Sequence, residues 1–192
     1  MADNYTFNTP AGQTIARETL IAYLNVGESG TPKWAPIGKR VEDSTEEYDW
    51  GEETMQDILG ESYTTMKKPT ITQSFDPLPL DAGDEAVQKI WQLAVYEQNA
   101  QALANMDMLI AHFYASDTSK NFAERYEACA LRVSSLGGEG GGNIEMPIEV
   151  TYGGTRTVGN VSREGAEVTF TATTSYAVSA SSPVITTKRS DD

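Results

Sequence analysis

The sequence predicts an α+β fold that is mainly β, with a single helix near the middle of the chain. Most apolar residues fall in short runs rich in β-branched and aromatic side chains, bounded by Gly, Pro, Asn and Asp. Only one segment, residues 84–98, repeats its apolar residues at helical spacing. The 192 residues are enough for one domain with a hydrophobic core, and no internal repeat or linker divides them.

The first strands are predicted near the start of the chain, after a polar flexible arm at residues 1–14. Residues 19–26, TLIAYLNV, form the first, and apolar residues on both of its faces predict burial on both sides. Residues 33–41, KWAPIGKRV, predict a second strand. Its proline places the middle of that strand at a sheet edge or a bulge.

An acidic run follows, with seven carboxylates and no base between Val41 and Thr54. Carboxylates at this density repel one another, so we expect them to serve a function. Trp50 lies inside the run, and we expect it either to anchor the end of the run to the core or to dock on a neighbouring subunit. The seven carboxylates are Glu42, Asp43, Glu46, Glu47, Asp49, Glu52 and Glu53.

Residues 55–80 favour extended structure, and the two prolines of residues 75–84 end it. The helix then begins, with Asp81 or Asp84 as its N-terminal cap. Its apolar stripe predicts packing against a sheet. The stripe consists of Val87, Ile90, Trp91, Ala94 and Val95.

The second half of the chain predicts strands separated by glycine-rich turns. Gly153 and Gly154 follow a cleanly alternating strand and predict a two-residue hairpin turn. Val168 and Phe170 are predicted to point inward from the last strand region. The predicted strands are at 105–115, 124–136, 143–152, 155–161 and 166–178, with a flexible loop at 137–142 and a mobile tail at 179–192.

Composition excludes several classes of function. The net charge of −14 speaks against binding nucleic acid through its phosphates. The single residues His112 and Cys129 cannot build a common His/Cys zinc site within one chain, and both are predicted to serve packing. Catalytic triads have only one histidine to use. We therefore expect neither an enzyme nor a cofactor.

Other familiar motifs also fail. GGEGGG at 137–142 is not followed by Gly-Lys-Ser/Thr, so it is not a phosphate-binding loop. EDSTEEYDWGEE lacks the ligand order of a calcium-binding EF-hand. The start of the chain has no signal-peptide pattern, and no run of 18 apolar residues predicts a membrane-spanning segment. A cytosolic product is expected.

A series of motifs in a fixed order remains: KWAPIG (33–38), the acidic stretch, DILG (57–60), PTITQSFDPL (69–78), the helix, and late strands with a glycine-rich loop. This order resembles the major tail protein, or tail tube protein, of long-tailed, siphovirus-like bacteriophages. The resemblance covers about residues 15–178, with an acidic insertion at about 42–53.

The resemblance implies a β-sandwich with one flanking helix. It also implies hexameric rings whose inner strands close into a shared β-barrel, and rings that stack into a tube conducting double-stranded DNA. Implied partners are further copies of the chain, the tape measure protein, and tail tip and tail terminator proteins. The implied location is the phage tail, and the host cytoplasm during assembly. No enzymatic activity is implied.

The family suggests two places for the acidic run. Carboxylates facing the bore would repel phosphate and let DNA pass without specific binding. Alternatively, the run lies at the junction between rings and pairs with bases there, and a solvated outer loop is a third reading. Lys67 and Lys68 would attract DNA if they faced the bore, so either they lie at the junction or the strand placement is off by one. The proposed junction bases are Lys39, Arg40, Lys67 and Lys68.

Two further hypotheses compete with this one. The inner tube of a contractile tail or of a phage-like bacteriocin would have nearly the same fold and need carry no DNA. A monomeric β-sandwich binding module, for instance for carbohydrate, would show a surface cluster of Trp and Tyr, and the sequence does not reveal one.

Overall fold

The computed structural model describes residues 5–28, 30–117, 120–177 and 184–186. Strands dominate these residues, and helical structure is short. The helical segments are a 3-10 turn at Arg17–Thr19, α1 (Glu85–Trp91), a π-helical turn at Gln92–Tyr96 and α2 (Ala100–Leu103). The strands are β1 (Thr6–Phe7), β2 (Leu20–Asn25), β3 (Trp34–Pro36), β4 (Glu46–Asp49), β5 (Glu53–Gln56), β6 (Ser62–Met66), β7 (Thr70–Phe75), β8 (Met106–Ser116), β9 (Asn121–Val133), β10 (Ile148–Tyr152), β11 (Thr155–Glu164), β12 (Glu167–Ala177) and β13 (Val184–Thr186).

One antiparallel sheet holds most of the strands, in the order β3-β2-β8-β9-β10-β7-β4. The 13-residue strand β9 belongs to two parts of it. Its first half pairs with β11, which in turn pairs with β12, and its second half pairs with β10. The prediction of a mainly β fold is therefore confirmed.

The larger core lies between the two parts of this sheet and α1. Strand β7 alternates buried and more exposed residues, and its inward side chains meet those of β2, β8 and β10. The large, fully buried apolar members include Leu24, Phe75, Leu78, Ile90, Met108, Ile110, Met146 and Ile148. Cys129 is also buried in this core, as predicted.

A second core covers the opposite face of β2 and β8. Tyr23 and Leu109 are buried there together with Trp34 of the edge strand β3. Val168 is buried in this core and Phe170 packs against it, so the predicted inward positions of the last strand region are confirmed. Because Leu24 and Tyr23 are buried in different cores, the prediction of two-sided burial for the first strand is confirmed as well.

Helix α1 begins where the sequence predicts. The Asp84 carboxylate accepts hydrogen bonds from the backbone N–H groups of Ala86 and Val87, at 3.0 and 3.1 Å. The prediction is wrong for Trp91, which is 36% exposed. The buried face is centred on Ala86, Val87 and Ile90, and Trp91 falls at its margin.

The predicted hairpin at Gly153 and Gly154 is wrong. Strands β10 and β11 pair with successive stretches of the same strand, β9, so the two glycines form a bulge in one continuing strand. A Cβ at Gly154, where φ is +75°, would lie 2.7 Å from the Cβ of Ala128. Glycine suits tight turns and close backbone approaches alike, so local sequence does not separate the two. The hairpin turn lies at Gly165, between β11 and β12.

A second, small sheet has the order β13-β6-β5. Its strand β13, Val184–Thr186, falls within the predicted tail at 179–192; the rest of that tail lies outside the described residues. Of the predicted N-terminal arm, residues 1–4 also lie outside them, and β1 pairs with the end of β8.

Candidate assembly surface

The hairpin formed by β5 and β6 stands away from the main sheet. Its two strands pair with each other, with Met55 opposite Tyr63, and β6 also pairs with β13. Every residue from Gly51 to Ser62 is exposed. The hairpin is therefore an arm whose strand β5 and whose tip are open to solvent or to another molecule, while β6 is covered on one side by β13.

The tip of this arm is held in shape by its own hydrogen bonds. The Asp57 carboxylate accepts from the backbone N–H groups of Leu59 and Glu61, at 2.8 and 2.9 Å. The N–H of Gly60, whose φ is +85°, donates to the Asp57 carbonyl at 3.1 Å. The tip needs no partner to adopt this conformation.

The preformed tip presents apolar side chains to water. Ile58 is 102% exposed and Leu59 is 81% exposed, and Met55 lies further along the same hairpin at 39%. Exposed apolar surface is recovered at roughly 25 cal/mol per Å² when it is buried, so a contiguous apolar tip on an arm indicates a docking element.

The acidic run divides between this arm and the main sheet. Glu46–Asp49 form β4, which pairs with β7 at the edge of the main sheet, with Tyr48 opposite Ile71. Charged side chains on an edge strand oppose the addition of a further strand. Six of the seven carboxylates are exposed: Glu42, Asp43, Glu47, Asp49, Glu52 and Glu53.

Glu46 is the exception, because its side chain points inward. One carboxylate oxygen accepts from the Tyr48 hydroxyl at 3.0 Å. The other, Oε1, is buried and has no hydrogen-bond partner among the described residues. Burial raises the pKa of Glu46, and the nearby charge of His112 opposes that rise only in part.

Beside Glu46 lies a buried group of polar side chains centred on Glu124. The Glu124 carboxylate accepts from Tyr126 Oη at 2.7 Å and from Arg156 Nε at 2.6 Å, and it faces His112 Nε2 at 3.1 Å. Burial opposes ionisation of Glu124, but hydrogen bonds from His112 and Arg156 outweigh it and lower its pKa to about 2. Every oxygen of this buried charge is partnered, which indicates a structural role.

The aromatic and basic residues singled out in the sequence lie on the outside. Trp50 is 46% exposed, and its carbonyl accepts from the backbone N–H of Lys67 at 2.9 Å. Lys67 and Lys68 are exposed in the connection between β6 and β7.

Lys39 and Arg40 pair with Asp81 of the same chain, at 2.7 and 3.8 Å. Among the described residues, neither of these two bases therefore forms an ion pair with a carboxylate of the acidic run.

Comparison with known proteins gives no match: no family model matches the chain, and a search of curated proteins finds no relative. Among the described residues, His, Cys, Asp and Glu form no group that could hold a metal ion. Within the same ranges, no helix combines the length and apolar character needed to cross a membrane.

Sequence reasoning missed the apolar tip. It treated DILG at 57–60 only as part of a motif series and placed the protruding segment at about 42–53. A signal was present: Ile58 and Leu59 stand between a turn-forming Asp and a Gly, where large apolar residues are unusual.

Proposed function

We propose that this protein is the structural subunit of a bacteriophage tail tube, polymerising as stacked hexameric rings with a negatively charged bore. The observation that carries the proposal is the arm of β5 and β6, with its preformed, exposed apolar tip. An exposed apolar tip marks a contact with another molecule, and on an arm it can supply the contact that joins one ring to the next.

The edges of the main sheet also support assembly. The main sheet ends in strands such as β3 and β12, each of which has one neighbouring strand among the described residues. Pairing or covering of such edges between copies removes unpaired backbone groups, and a closed ring removes them entirely. In the proposed tube, inner strands of six subunits form a shared barrel.

The charge supports a conduit for DNA. The chain carries a net charge of −14, and six carboxylates of the acidic run are exposed. Carboxylates near the bore repel phosphates and release no counterions, so DNA passes without a binding site to hold it. The proposal includes the tape measure, tail tip and tail terminator proteins as partners, and the virion tail as the location.

The test is negative-stain electron microscopy of the purified protein over a concentration series, alone and with tail tip proteins. We expect hollow rings or tubes of uniform width from the wild type. Ile58→Asp should abolish them, whereas Ile144→Asp should retain them, because Ile144 is 56% exposed but lies outside the arm.

A wild-type protein that stays monomeric under all these conditions would overturn the proposal and favour a binding module. Tubes surrounded by a sheath in the native particle would instead indicate the contractile relative of this function.

A further inference from the structure

A groove of about 850 Å³ lies beside the edge strand β3, between the segment that leads into β4 and the turn that joins β11 to β12. Its apolar lining includes Ala35, Ile37, Val41 and Phe75. This volume falls within the range of roughly 300–1,000 Å³ that is typical of ligand-binding clefts. In the described part of the chain, the arm does not reach this groove, because its tip is fully exposed.

Two arginines of the groove donate hydrogen bonds to backbone carbonyl oxygens among the described residues. Arg17 donates to the carbonyl oxygens of Leu20 and Ser44, at 2.5 and 2.7 Å. Arg163 donates to the carbonyl of Gly165 at 3.0 Å. Neither forms an ion pair with a carboxylate of the described residues.

The lysines of the same groove differ, because Lys33 pairs with Glu85 and Lys39 with Asp81. Four acids line the groove: Glu85 pairs with Lys33, Asp84 caps α1, and Glu18 and Glu42 pair with neither arginine in the part of the chain that the structure describes. In a protein with a net charge of −14, two exposed guanidinium groups that form no ion pair with a carboxylate of the described residues favour a site for an acidic ligand.

We propose that this groove receives the hairpin tip of a second copy of the chain, an inference that rests on the self-assembly in the proposed function. The tip reads Asp57-Ile58-Leu59-Gly60-Glu61, two apolar residues between two acids. Ile58 and Leu59 would pack against the apolar lining of the groove, and Glu61 would supply a carboxylate for the arginines. The Asp57 carboxylate stays engaged within the tip itself.

Both halves of this contact exist in every copy, and they lie on different surfaces. Such a contact is heterologous: the arm of one copy fills the groove of the next, whose own arm remains free. A contact of this type continues from subunit to subunit, which is the property that a growing tube requires. The surface therefore defines the partner as another copy of the same chain.

Cysteine cross-linking between two mixed variants tests the contact. One variant carries Leu59→Cys at the tip and the other Glu42→Cys at the groove, and copper phenanthroline is the oxidant. The native Cys129 does not compete, because it is buried. We expect a disulfide-linked dimer from this mixture and none when Ile144→Cys replaces Glu42→Cys.

A charge reversal tests the arginines. Glu61→Arg should raise the protein concentration at which assembly begins by about tenfold, which corresponds to roughly 1.4 kcal/mol. Glu139→Arg, an exposed residue in the glycine-rich loop, makes the same change in net charge and should leave that concentration within about threefold.

The same samples separate the two proposals by electron microscopy. Tubes that form without the tip–groove cross-link, or that tolerate Glu61→Arg as well as Glu139→Arg, overturn the groove assignment and leave the tube function standing. Absence of any assembly in the wild type overturns both.

Discussion

Glu46 and Glu124 are neighbouring carboxylates whose ionisation is driven in opposite directions. Burial raises the pKa of Glu46, which has one oxygen without a partner among the described residues. Glu124 is buried too, but His112 and Arg156 lower its pKa to about 2. The stabilisation from Glu124 is therefore present above its ordinary pKa of 4.5 and is lost as the pH falls towards 2. Hydrogen-bonding and charged partners, rather than burial alone, therefore decide the direction of the pKa shift at each carboxylate.

Glu46→Gln should change how stability depends on pH. The pKa of Glu46 is raised on folding. Its contribution to the free energy of unfolding is therefore full below pH 4.5, the ordinary pKa of the carboxyl, and is lost as the pH rises through the pKa of the folded state. We expect the free energy of unfolding of the wild type to decrease as the pH increases from 4.5 to the pKa that Glu46 has in the folded protein. The variant should lack this fall and be about 1 kcal/mol more stable at pH 7.

Urea unfolding at a series of pH values measures this difference. The matched control is Glu47→Gln, because Glu47 is exposed on the opposite face of β4 and should follow the wild type. Parallel pH curves for Glu46→Gln and the wild type would show that Glu46 is not the titrating group.

At the scale of elements, strand β9 organises the fold. It contacts β8 on one side and, in succession, β11 and β10 on the other. The bulge at Gly153 and Gly154 lets a single long strand follow β9 along its length. Gly154 both adopts a positive φ and leaves room for Ala128, so two separate requirements meet at one residue.

Gly154→Ala should destabilise the protein more than Gly165→Ala. Both glycines have positive φ, +75° and +64°, but a Cβ at Gly165 meets no atom within 4 Å. We expect about 1 kcal/mol of destabilisation at Gly165 from backbone strain alone. Gly154 adds the clash with Ala128 and should lose about 2 to 3 kcal/mol. Thermal or urea unfolding distinguishes the two variants. Equal losses of stability would show that β9 shifts to accommodate the added Cβ at no cost in free energy.

At the scale of the whole molecule, the two cores give a protomer that is complete without its arm. Side chains on both faces of β2 and β8 are buried, while the arm contributes no residue to either buried cluster. This separation allows Ile58 to be replaced without loss of the fold, which makes the assembly experiments interpretable. Stability therefore belongs to the body, and the association that we propose belongs to the arm.

The reactivity of Cys129 is a probe of the unfolding of the core, because this thiol is buried in it. It is fully buried, and burial raises its pKa to about 12, so the reactive thiolate is scarce in the folded protein. In Leu59→Cys, labelling with a maleimide should show two phases, with the tip thiol at least about a thousandfold faster than Cys129. Urea should accelerate only the slow phase. Two fast thiols would mean that the core opens locally.

Local pattern predicted much of the fold but little of the candidate surface. The cap at Asp84 and the strand containing Leu24 were predictable because propensity and periodicity act over a few residues. The hairpin at Gly153 was mispredicted because the partner of that segment, β9, is distant in the sequence. The acidic run was found by composition, yet nothing in its spacing distinguishes Glu46 from the exposed Glu47.

The strand-rich class, the place where the helix begins, the two-sided burial of the first strand and the strongly acidic character could all be predicted from the amino-acid sequence. These properties follow from residue type and from spacing over one element. Three other properties became visible only in the folded chain: Ile58 and Leu59 stand exposed on an arm, Glu46 points inward, and Arg17 and Arg163 lie at one groove. Those properties depend on contacts between residues far apart in the chain, and local preferences leave such contacts open.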